Sequence, residues 1–170
     1  MADYKKSAIY EIRDMIWNEL LDKGLLDDQD YYADGFTDSL IPIIPAQQVP
    51  EFNNLLPGKP YITYDLSVRP YGQAWWICEE VLSLSVISTN AAQIQSIINL
   101  IVDLFRRYDK AAKDANEYID ENSVFHYHYF YIENADPIQA FDNEGGFMVG
   151  DVSILYAYSR GIDMFTGRYL

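Results

Sequence analysis

The sequence predicts an α+β fold, in which a mostly antiparallel sheet of four or more strands is covered by two helices. The first observation is a strand, Trp75–Ile87, that leads directly into a helix, Asn90–Tyr108. Apolar and polar residues alternate in the second half of the strand, as expected for a strand with one buried face. The second observation is the order of the elements: helix, extended segment, two strands, helix, two strands. This segregation favours an α+β architecture.

Two helices are predicted. The first covers Ser7–Lys23, where apolar residues recur at helical spacing and Gly24 follows as a typical stop signal. The central helix, Asn90–Tyr108, begins with a suitable N-cap at Asn90, and Gln93 is placed to complete a capping box. Its apolar stripe comprises Ile94, Ile97, Ile98, Ile101, Phe105 and Tyr108. Because the opposite side is polar, we expect this helix to lie on the sheet with one side in solvent.

Residues 27–59 are predicted to form a long extended arm. Continuous helix and central strand are excluded by the prolines within this region and directly after it, which are Pro42, Pro45, Pro50, Pro57 and Pro60. A structureless connection of this length is uncommon in a compact domain unless it is functional. The isoleucines of the arm are also too apolar to lie free in water. We therefore weigh a partner-binding arm against a passive linker.

The two strands after the arm are predicted to form a hairpin. Ile62–Val68 alternates between apolar and polar residues, and Arg69–Gln73 has the composition of a turn that leads into Trp75. After the central helix, residues 110–122 are predicted to be a frayed helical continuation or a charged loop.

The last two strands are predicted from their aromatic and β-branched residues. They cover Val124–Ile132 and Val149–Tyr158. The stretch between them, Glu133–Met148, is polar, contains glycine and proline, and is predicted to be a loop.

Composition indicates one domain over residues 1–170, with residues 161–170 as a C-terminal tail. The chain is 49% hydrophobic and 15% aromatic, which is typical of a folded protein. Its formal net charge of -14 argues against electrostatic binding of nucleic acid, because phosphate binding needs a basic surface. The single Cys78 cannot form an intrachain disulfide, which fits a reducing cytoplasm. No segment approaches the roughly 20 apolar residues that span a bilayer, so no membrane partner is expected.

His126 and His128 are the two histidines of the chain, and Glu133 follows at a spacing that resembles the first metal motif of cupins. Residues at i and i+2 of a strand face the same side, so the two imidazoles could share a metal ion. The second cupin motif has no counterpart, because the chain has no third histidine. We therefore expect no metal site. A small metal-binding enzyme or protein that uses these three residues is the alternative.

No catalytic or cofactor site is expected. Glu79 and Glu80 are neighbours on a strand, so they face opposite ways, cannot form an acid/base pair, and at most one of them is buried. Cys78 has no basic neighbour in sequence that would lower its pKa, so core packing is expected. Gly145 and Gly146 lack the following Lys and Ser or Thr of a phosphate loop, which indicates a loop tip.

The element order, the chain length and two stretches of sequence resemble the tail (neck) terminator proteins of tailed bacteriophages. The stretches are Ile43-Ile-Pro-Ala-Gln-Gln-Val-Pro in the arm and Leu56-Pro-Gly-Lys-Pro-Tyr-Ile-Thr-Tyr at the first strand. The resemblance covers most of residues 5–160 and rests on a pattern, not on a catalytic motif. The segment Gly161–Leu170 lies beyond it.

This resemblance implies a structural virion protein and not an enzyme. Such proteins form rings, usually hexamers, on the last ring of the tail tube, stop its polymerisation and join the tail to the head-side neck or connector. The expected partners are further copies of this chain and the tube protein, with sheath and connector proteins as further candidates. DNA passes through the lumen without specific binding. The expected location is the virion, after assembly in the cytoplasm of a bacterial host.

Contacts with neighbouring subunits or partners are expected from the arm, from the loop around Phe147 and from the C-terminal tail. The residues concerned are Ile41, Ile43, Ile44, Val49, Phe52, Phe147, Met148 and Phe165. The reason is that a small helix-covered sheet offers little room for their apolar side chains. Part of the acidic surface is expected to line the lumen, where carboxylates keep DNA from sticking. An adaptor of another multi-subunit machine, such as a contractile injection system, is a further alternative.

Overall fold

One mixed sheet and four α-helices make up the computed structural model, which describes residues 7–69, 77–119, 125–142 and 145–160. The α-helices are α1 (Ala8–Asp22), α2 (Val49–Leu55), α3 (Ala91–Phe105) and α4 (Tyr108–Tyr118). The strands are β1 (Ile43–Pro45), β2 (Tyr61–Arg69), β3 (Ile77–Ser88), β4 (Phe125–Ala135), β5 (Gln139–Asp142) and β6 (Phe147–Arg160). Two short 3-10 helices cover Asp28–Tyr31 and Ala46–Gln48.

The sheet has the strand order β1-β2-β3-β6-β4, and β5 pairs with β6 beyond the end of β4. Only β1 and β2 pair in parallel, and all other pairs are antiparallel. The predicted α+β class and the mostly antiparallel sheet are therefore confirmed, as is the pairing of the two strands after the arm. Most of the predicted turn Arg69–Gln73 falls in residues 70–76, outside the described part of the chain.

One face of the sheet, which we name the covered face, packs against α1 and α3. A Cβ atom added to Gly150 would lie 2.5 Å from Cδ1 of Ile98 and 2.8 Å from Cγ2 of Ile94, so α3 lies directly on β6. The hydroxyl of Tyr127 on β4 lies 3.2 Å from the carbonyl oxygen of Ala8, which places α1 on the same side. Only a glycine at position 150 allows this close approach of helix and strand.

Helix α3 forms where its apolar periodicity predicted it. Its five large buried residues are Ile94, Ile97, Ile98, Ile101 and Phe105. Asn90 caps the first turn, because its side-chain oxygen accepts hydrogen bonds from the backbone N–H groups of Ala92 and Gln93. The predicted capping box is wrong in one detail. The Gln93 side chain accepts a hydrogen bond from the Ser88 hydroxyl at 2.7 Å, and the Ser88 oxygen itself accepts from the Asn90 N–H.

The opposite face of the sheet, which we name the open face, is rich in hydroxyl and carboxylate groups. Its central residues on β2, β3 and β6 are Thr63, Asp65, Ser67, Ser83, Ser85, Asp151 and Ser153. The Ser85 hydroxyl donates a 2.5 Å hydrogen bond to the Asp151 carboxylate across the strand pair. The sheet therefore has one apolar face, which forms the core, and one face that is polar at its centre.

The arm is folded, which corrects the prediction that residues 27–59 are extended. It contains both 3-10 helices, the short parallel strand β1 and helix α2. Tyr31 packs between Trp17 and Phe52, and its hydroxyl donates to the carbonyl of Pro60 at 2.8 Å. The prolines exclude long regular elements, but they do not prevent short ones, and Pro50 lies in the first turn of α2, where a missing N–H costs nothing.

The number of helices and the last loop also differ from the prediction. Two helices were predicted, and four α-helices are present among the described residues. Residues 108–118 form a separate helix, α4, which agrees with the helical alternative for residues 110–122, and its buried residues include the small Ala111, Ala112 and Ala115. Strand β5 lies within the stretch Glu133–Met148 that was predicted to be a loop. The side chain of Asn116 in α4 binds both the backbone N–H and the backbone carbonyl of Tyr127, at 2.7 and 2.8 Å.

Candidate interaction surface

A groove of about 470 Å³ lies beside β1, between α1, α2 and β2. It is lined by Tyr10, Arg13, Phe36, Ser39, Leu40, Ile41, Ile43, Ile44, Pro45, Gln48, Glu51, Phe52, Leu55 and Tyr64. Its volume is within the range of cavities that bind small ligands or several side chains of a partner. Ten of its fourteen lining residues are apolar or aromatic, and Arg13, Ser39, Gln48 and Glu51 add polar groups, so the groove is suited to a partner that offers both apolar and polar groups.

Short elements of the folded arm build the groove. Strand β1 is held against β2 by parallel pairing and by a 2.7 Å hydrogen bond from the N–H of Ile62 to the carbonyl of Pro42. Helix α2 starts directly after the second 3-10 helix and presents Phe52 and Leu55 to the groove. The bottom of the groove is therefore part of the core, and its shape is fixed by the fold.

Two exposed aromatic side chains flank the groove. Tyr10 on α1 is 45% exposed, and Phe36 in the connection before β1 is 49% exposed. Ile43 and Phe52, which line the same groove, are buried. Exposed aromatic residues beside a preformed apolar cavity are typical of protein interaction sites.

Arg13 adds a positive charge to this apolar surface. Its guanidinium lies over the Tyr10 ring, 5.0 Å from the ring centroid, and within 3.4 Å of the Asp14 carboxylate. Burial raises the pKa of Tyr64 above its ordinary value, and the nearby Tyr10 raises it further, whereas the Arg13 charge lowers it. Arg13 therefore lies at the groove wall, where its charge is paired with Asp14 and where Glu51 places a carboxylate in the same groove.

Four of the predicted contact residues line this groove: Ile41, Ile43, Ile44 and Phe52. The reasoning that selected them needs a correction. They were expected to find no room inside the subunit, but Ile43, Ile44 and Phe52 are buried in its core and Ile41 packs against that core. The folded arm supplies the space that an extended arm would lack. Their side chains therefore form the bottom and walls of the groove.

The other predicted contact residues lie elsewhere. Val49 begins α2 and is half-buried against the core. Phe147 and Met148 begin β6, are half-buried, and pair with Asp142 and Ala140 of β5. None of these three lines the groove. Phe165 lies outside the described residues.

The histidine pair lies on the outside of β4. The rings of His126 and His128 are 5.4 Å apart, and both residues are exposed. Burial, and then the neighbouring His126, lower the pKa of His128. Within the described ranges, no group of three or more His, Cys, Asp or Glu side chains is placed to hold a metal ion. Glu133 does not complete such a group with the two histidines.

Glu79 and Glu80 separate as predicted, one on each face of the sheet. Glu80 is 6% exposed on the covered face, and its carboxylate accepts hydrogen bonds from the hydroxyls of Tyr156 and Tyr158, at 2.5 and 2.7 Å. Glu79 accepts a hydrogen bond from Tyr129 at 2.6 Å. These bonds satisfy a buried carboxylate and make Glu80 part of the core.

Cys78 is half-buried and packs against the core, as predicted. Burial raises the pKa of its thiol, and the nearby Glu80 charge raises it further. A raised thiol pKa disfavours the reactive thiolate.

A second, larger depression lies between α1, α3 and α4. It has a volume of about 640 Å³, and its rim carries both acidic and basic residues, including Glu19, Lys23 and Asp103. It contains none of the exposed large aromatic residues that mark the groove. The groove is therefore the stronger candidate for a contact surface.

Sequence reasoning missed Tyr10, Arg13, Phe36 and Tyr64. Tyr10 and Arg13 lie on α1 outside its predicted apolar stripe, and an exposed aromatic residue beside that stripe is the only local signal. The chain has no match among protein-family models, and no curated protein matches it. Among the described residues, no helix is long and apolar enough to cross a membrane.

Proposed function

We propose that this protein is a structural subunit of a phage virion, a tail terminator. It forms a ring, with six subunits expected, on the end of the tail tube, stops tube growth and joins the tail to the head-side neck or connector. It assembles in the cytoplasm of the bacterial host and stays in the virion. The proposal combines the sequence resemblance with the groove, which is the observation that carries it.

The groove supports a role in assembly because it combines a fixed apolar bottom with exposed aromatic side chains. Two exposed aromatic residues, Tyr10 and Phe36, line the same groove. Aromatic residues are enriched at protein interfaces. A partner that fills the groove would cover both rings and the apolar bottom. Burial of such aromatic anchors supplies much of the binding energy in protein interfaces.

The open face supports a role around DNA. Asp65 and Asp151 lie on it among the serine hydroxyls, and the whole chain carries a formal net charge of -14. A surface of this kind remains hydrated and repels phosphate, which is suitable for the wall of a channel through which DNA passes. We therefore propose that the open face lines the lumen and the helices lie on the outside of the ring.

Electron microscopy of tails tests the function. In a phage that carries this gene, deletion should give tails of uncontrolled length that are not joined to heads, and the wild-type gene supplied in trans should restore normal virions. A gene with Phe36→Asp should restore them poorly, because a carboxylate beside the apolar groove would have to be desolvated when the partner binds.

Thr37→Asp is the matched control, because Thr37 is the exposed neighbour of Phe36 and does not line the groove. This variant should restore normal virions. Tails of normal length, joined to heads, in the deletion strain would contradict the proposed function.

A further inference from the structure

We infer that His126 and His128 form a chelating site for a divalent metal ion of the class that imidazole prefers, which comprises Ni²⁺, Cu²⁺ and Zn²⁺. The absence of a third histidine excludes a cupin-type site. Two imidazoles on one fixed strand are nevertheless enough to chelate such an ion, with water in its remaining positions. The site belongs to a single subunit and does not depend on the proposed ring.

The two imidazole rings lie close to the separation that a shared metal ion requires. Their centroids are 5.4 Å apart, and their planes make an angle of 80°. A metal ion at about 2.0–2.1 Å from one nitrogen of each ring gives centroids about 4.5–5.2 Å apart, for adjacent positions of a square-planar or tetrahedral ion. Because both residues are exposed, a small rotation of their side chains closes the difference.

A β-bulge in β4 sets the position of His128. Tyr127 pairs with Tyr158 and Tyr129 pairs with Ala157, which are neighbours on β6, so His128 is the extra residue between the two pairs. Its side chain is exposed, whereas Tyr127 beside it is buried. A bulge changes the direction of a side chain, and bulges are over-represented beside functional sites. The bulge therefore presents this imidazole to solvent beside that of His126.

The backbone that carries both histidines is held in place through Tyr127, the residue between them. Its side chain is 2% exposed, and its hydroxyl donates to the carbonyl oxygen of Ala8 on α1 at 3.2 Å. The side-chain amide of Asn116 binds its backbone N–H and carbonyl, at 2.7 and 2.8 Å. A chelating pair on a fixed backbone loses little conformational freedom on binding, which raises its affinity above that of a flexible pair.

The ligand atoms select the class of metal ion. Imidazole nitrogen suits Ni²⁺, Cu²⁺ and Zn²⁺, whereas Mg²⁺ and Ca²⁺ prefer oxygen ligands. The nearby Tyr129 hydroxyl donates to the Glu79 carboxylate at 2.6 Å, so these two groups satisfy each other. In the part of the chain that the structure describes, no third His, Cys, Asp or Glu side chain is placed to complete the coordination. The bound ion therefore keeps water in its other positions.

Isothermal titration calorimetry with Ni²⁺ tests the site. The untagged chain in a Cys78→Ser background should bind one Ni²⁺ per chain, with excess Mg²⁺ present to occupy surface carboxylates. His126→Ala and His128→Ala should each weaken binding at least about tenfold, because one imidazole lacks the gain in affinity that a second, linked ligand supplies.

The matched control keeps two histidines but separates them. His126→Ala combined with Val68→His places the second imidazole on β2, at a position that is 66% exposed. This variant should bind Ni²⁺ as weakly as His126→Ala alone. Since His126 and His128 are both exposed, the alanine variants should melt like the parent chain when no metal is added.

Thermal unfolding provides a second, independent readout. Ni²⁺ that binds the folded chain should raise the melting temperature of the parent, and it should leave that of the variant with both histidines replaced unchanged. Equal Ni²⁺ affinity in the parent and in this double variant would overturn the site. A loss of no more than about twofold in each single variant would also overturn it, because two independent ligands behave in this way. Either result would leave the proposed function intact.

Discussion

The two faces of the sheet are built from the same strands but serve different purposes. On the covered face, alternate residues of β3 and β6 are Leu82, Leu84, Ile154 and Tyr156, all nearly inaccessible to solvent. On the open face, the central positions of the same strands are Ser83, Ser85, Asp151 and Ser153, with Val81 and Leu155 beside them. The comparison teaches that the covered face specifies the fold, whereas the open face can change without unfolding the chain. Function is therefore expected to reside on the open face and at the edges.

The largest effect should follow from placing a charge beneath α3. Ile98→Asp buries an unpaired carboxylate on the covered face, so it should lower the free energy of unfolding by several kcal/mol. Chemical denaturation monitored by circular dichroism measures this. An unchanged midpoint would show that α3 does not pack on the sheet as described.

Alkaline pH should also lower the stability of the fold, through tyrosines that are buried in the core. Burial raises the pKa of Tyr31, Tyr127, Tyr156 and Tyr158 above the ordinary value of 10.0. The folded state therefore keeps these phenol protons at pH values where the unfolded chain loses them. Their contribution to the free energy of unfolding is fully present below about pH 10. It is lost as pH rises above that value, by up to about 1.4 kcal/mol per group and pH unit.

Thermal unfolding from about pH 8 to about pH 11 measures this loss, with tyrosinate absorbance as a second signal. Tyr156→Phe should flatten the alkaline decrease, because it removes one of the buried phenols. A melting temperature that stays constant through this range would contradict the assigned burial of the tyrosines.

A smaller effect is expected where β6 meets α3. Gly150→Val places side-chain atoms where Ile94 and Ile98 lie, and overpacking of this kind costs about 1–3 kcal/mol. Ser153→Val, on the open face of the same strand, is the matched control and should change stability much less. Equal losses for the two variants would break the distinction between the faces.

The smallest effect should come from the centre of the open face. Ser83→Lys should change stability by less than about 0.5 kcal/mol, because Ser83 is exposed and its contact with Ser153 is long, at 3.4 Å. Leu84→Lys, one residue further and on the covered face, should destabilise the domain by several kcal/mol, as Ile98→Asp does. Thermal unfolding of the two variants compares the open face with the covered face at neighbouring positions.

Long periodic elements could be predicted from the sequence, and short ones could not. Helix α3 and strand β3 have enough residues for their apolar period to be recognised, and their burial follows from it. Strand β1 has three residues. It forms because it pairs with β2 and because the carbonyl of Pro42, just before it, accepts a hydrogen bond from the N–H of Ile62. The buried side chains that are described in helix α4 are the alanines Ala111, Ala112 and Ala115, whose small size gives a weak apolar signal in the sequence.

The groove could not be predicted from the sequence, because the same short elements build it. Its bottom was found in sequence as apolar residues such as Ile43 and Phe52, but their burial within the subunit was not foreseen. Its rim combines Tyr10 of α1 with Phe36 of the arm, and only the folded arm brings them together. Contacts between segments that are distant in sequence leave no local pattern.

Native mass spectrometry of the purified chain tests the central claim, assembly of copies of this chain into a ring, most directly. The account predicts one closed oligomer, with six subunits expected, whose stoichiometry does not grow as protein concentration rises. Higher salt should not dissolve it, since screening weakens the repulsion between acidic subunits. A monomer at all concentrations, or a dimer that never exceeds two subunits, would contradict the account.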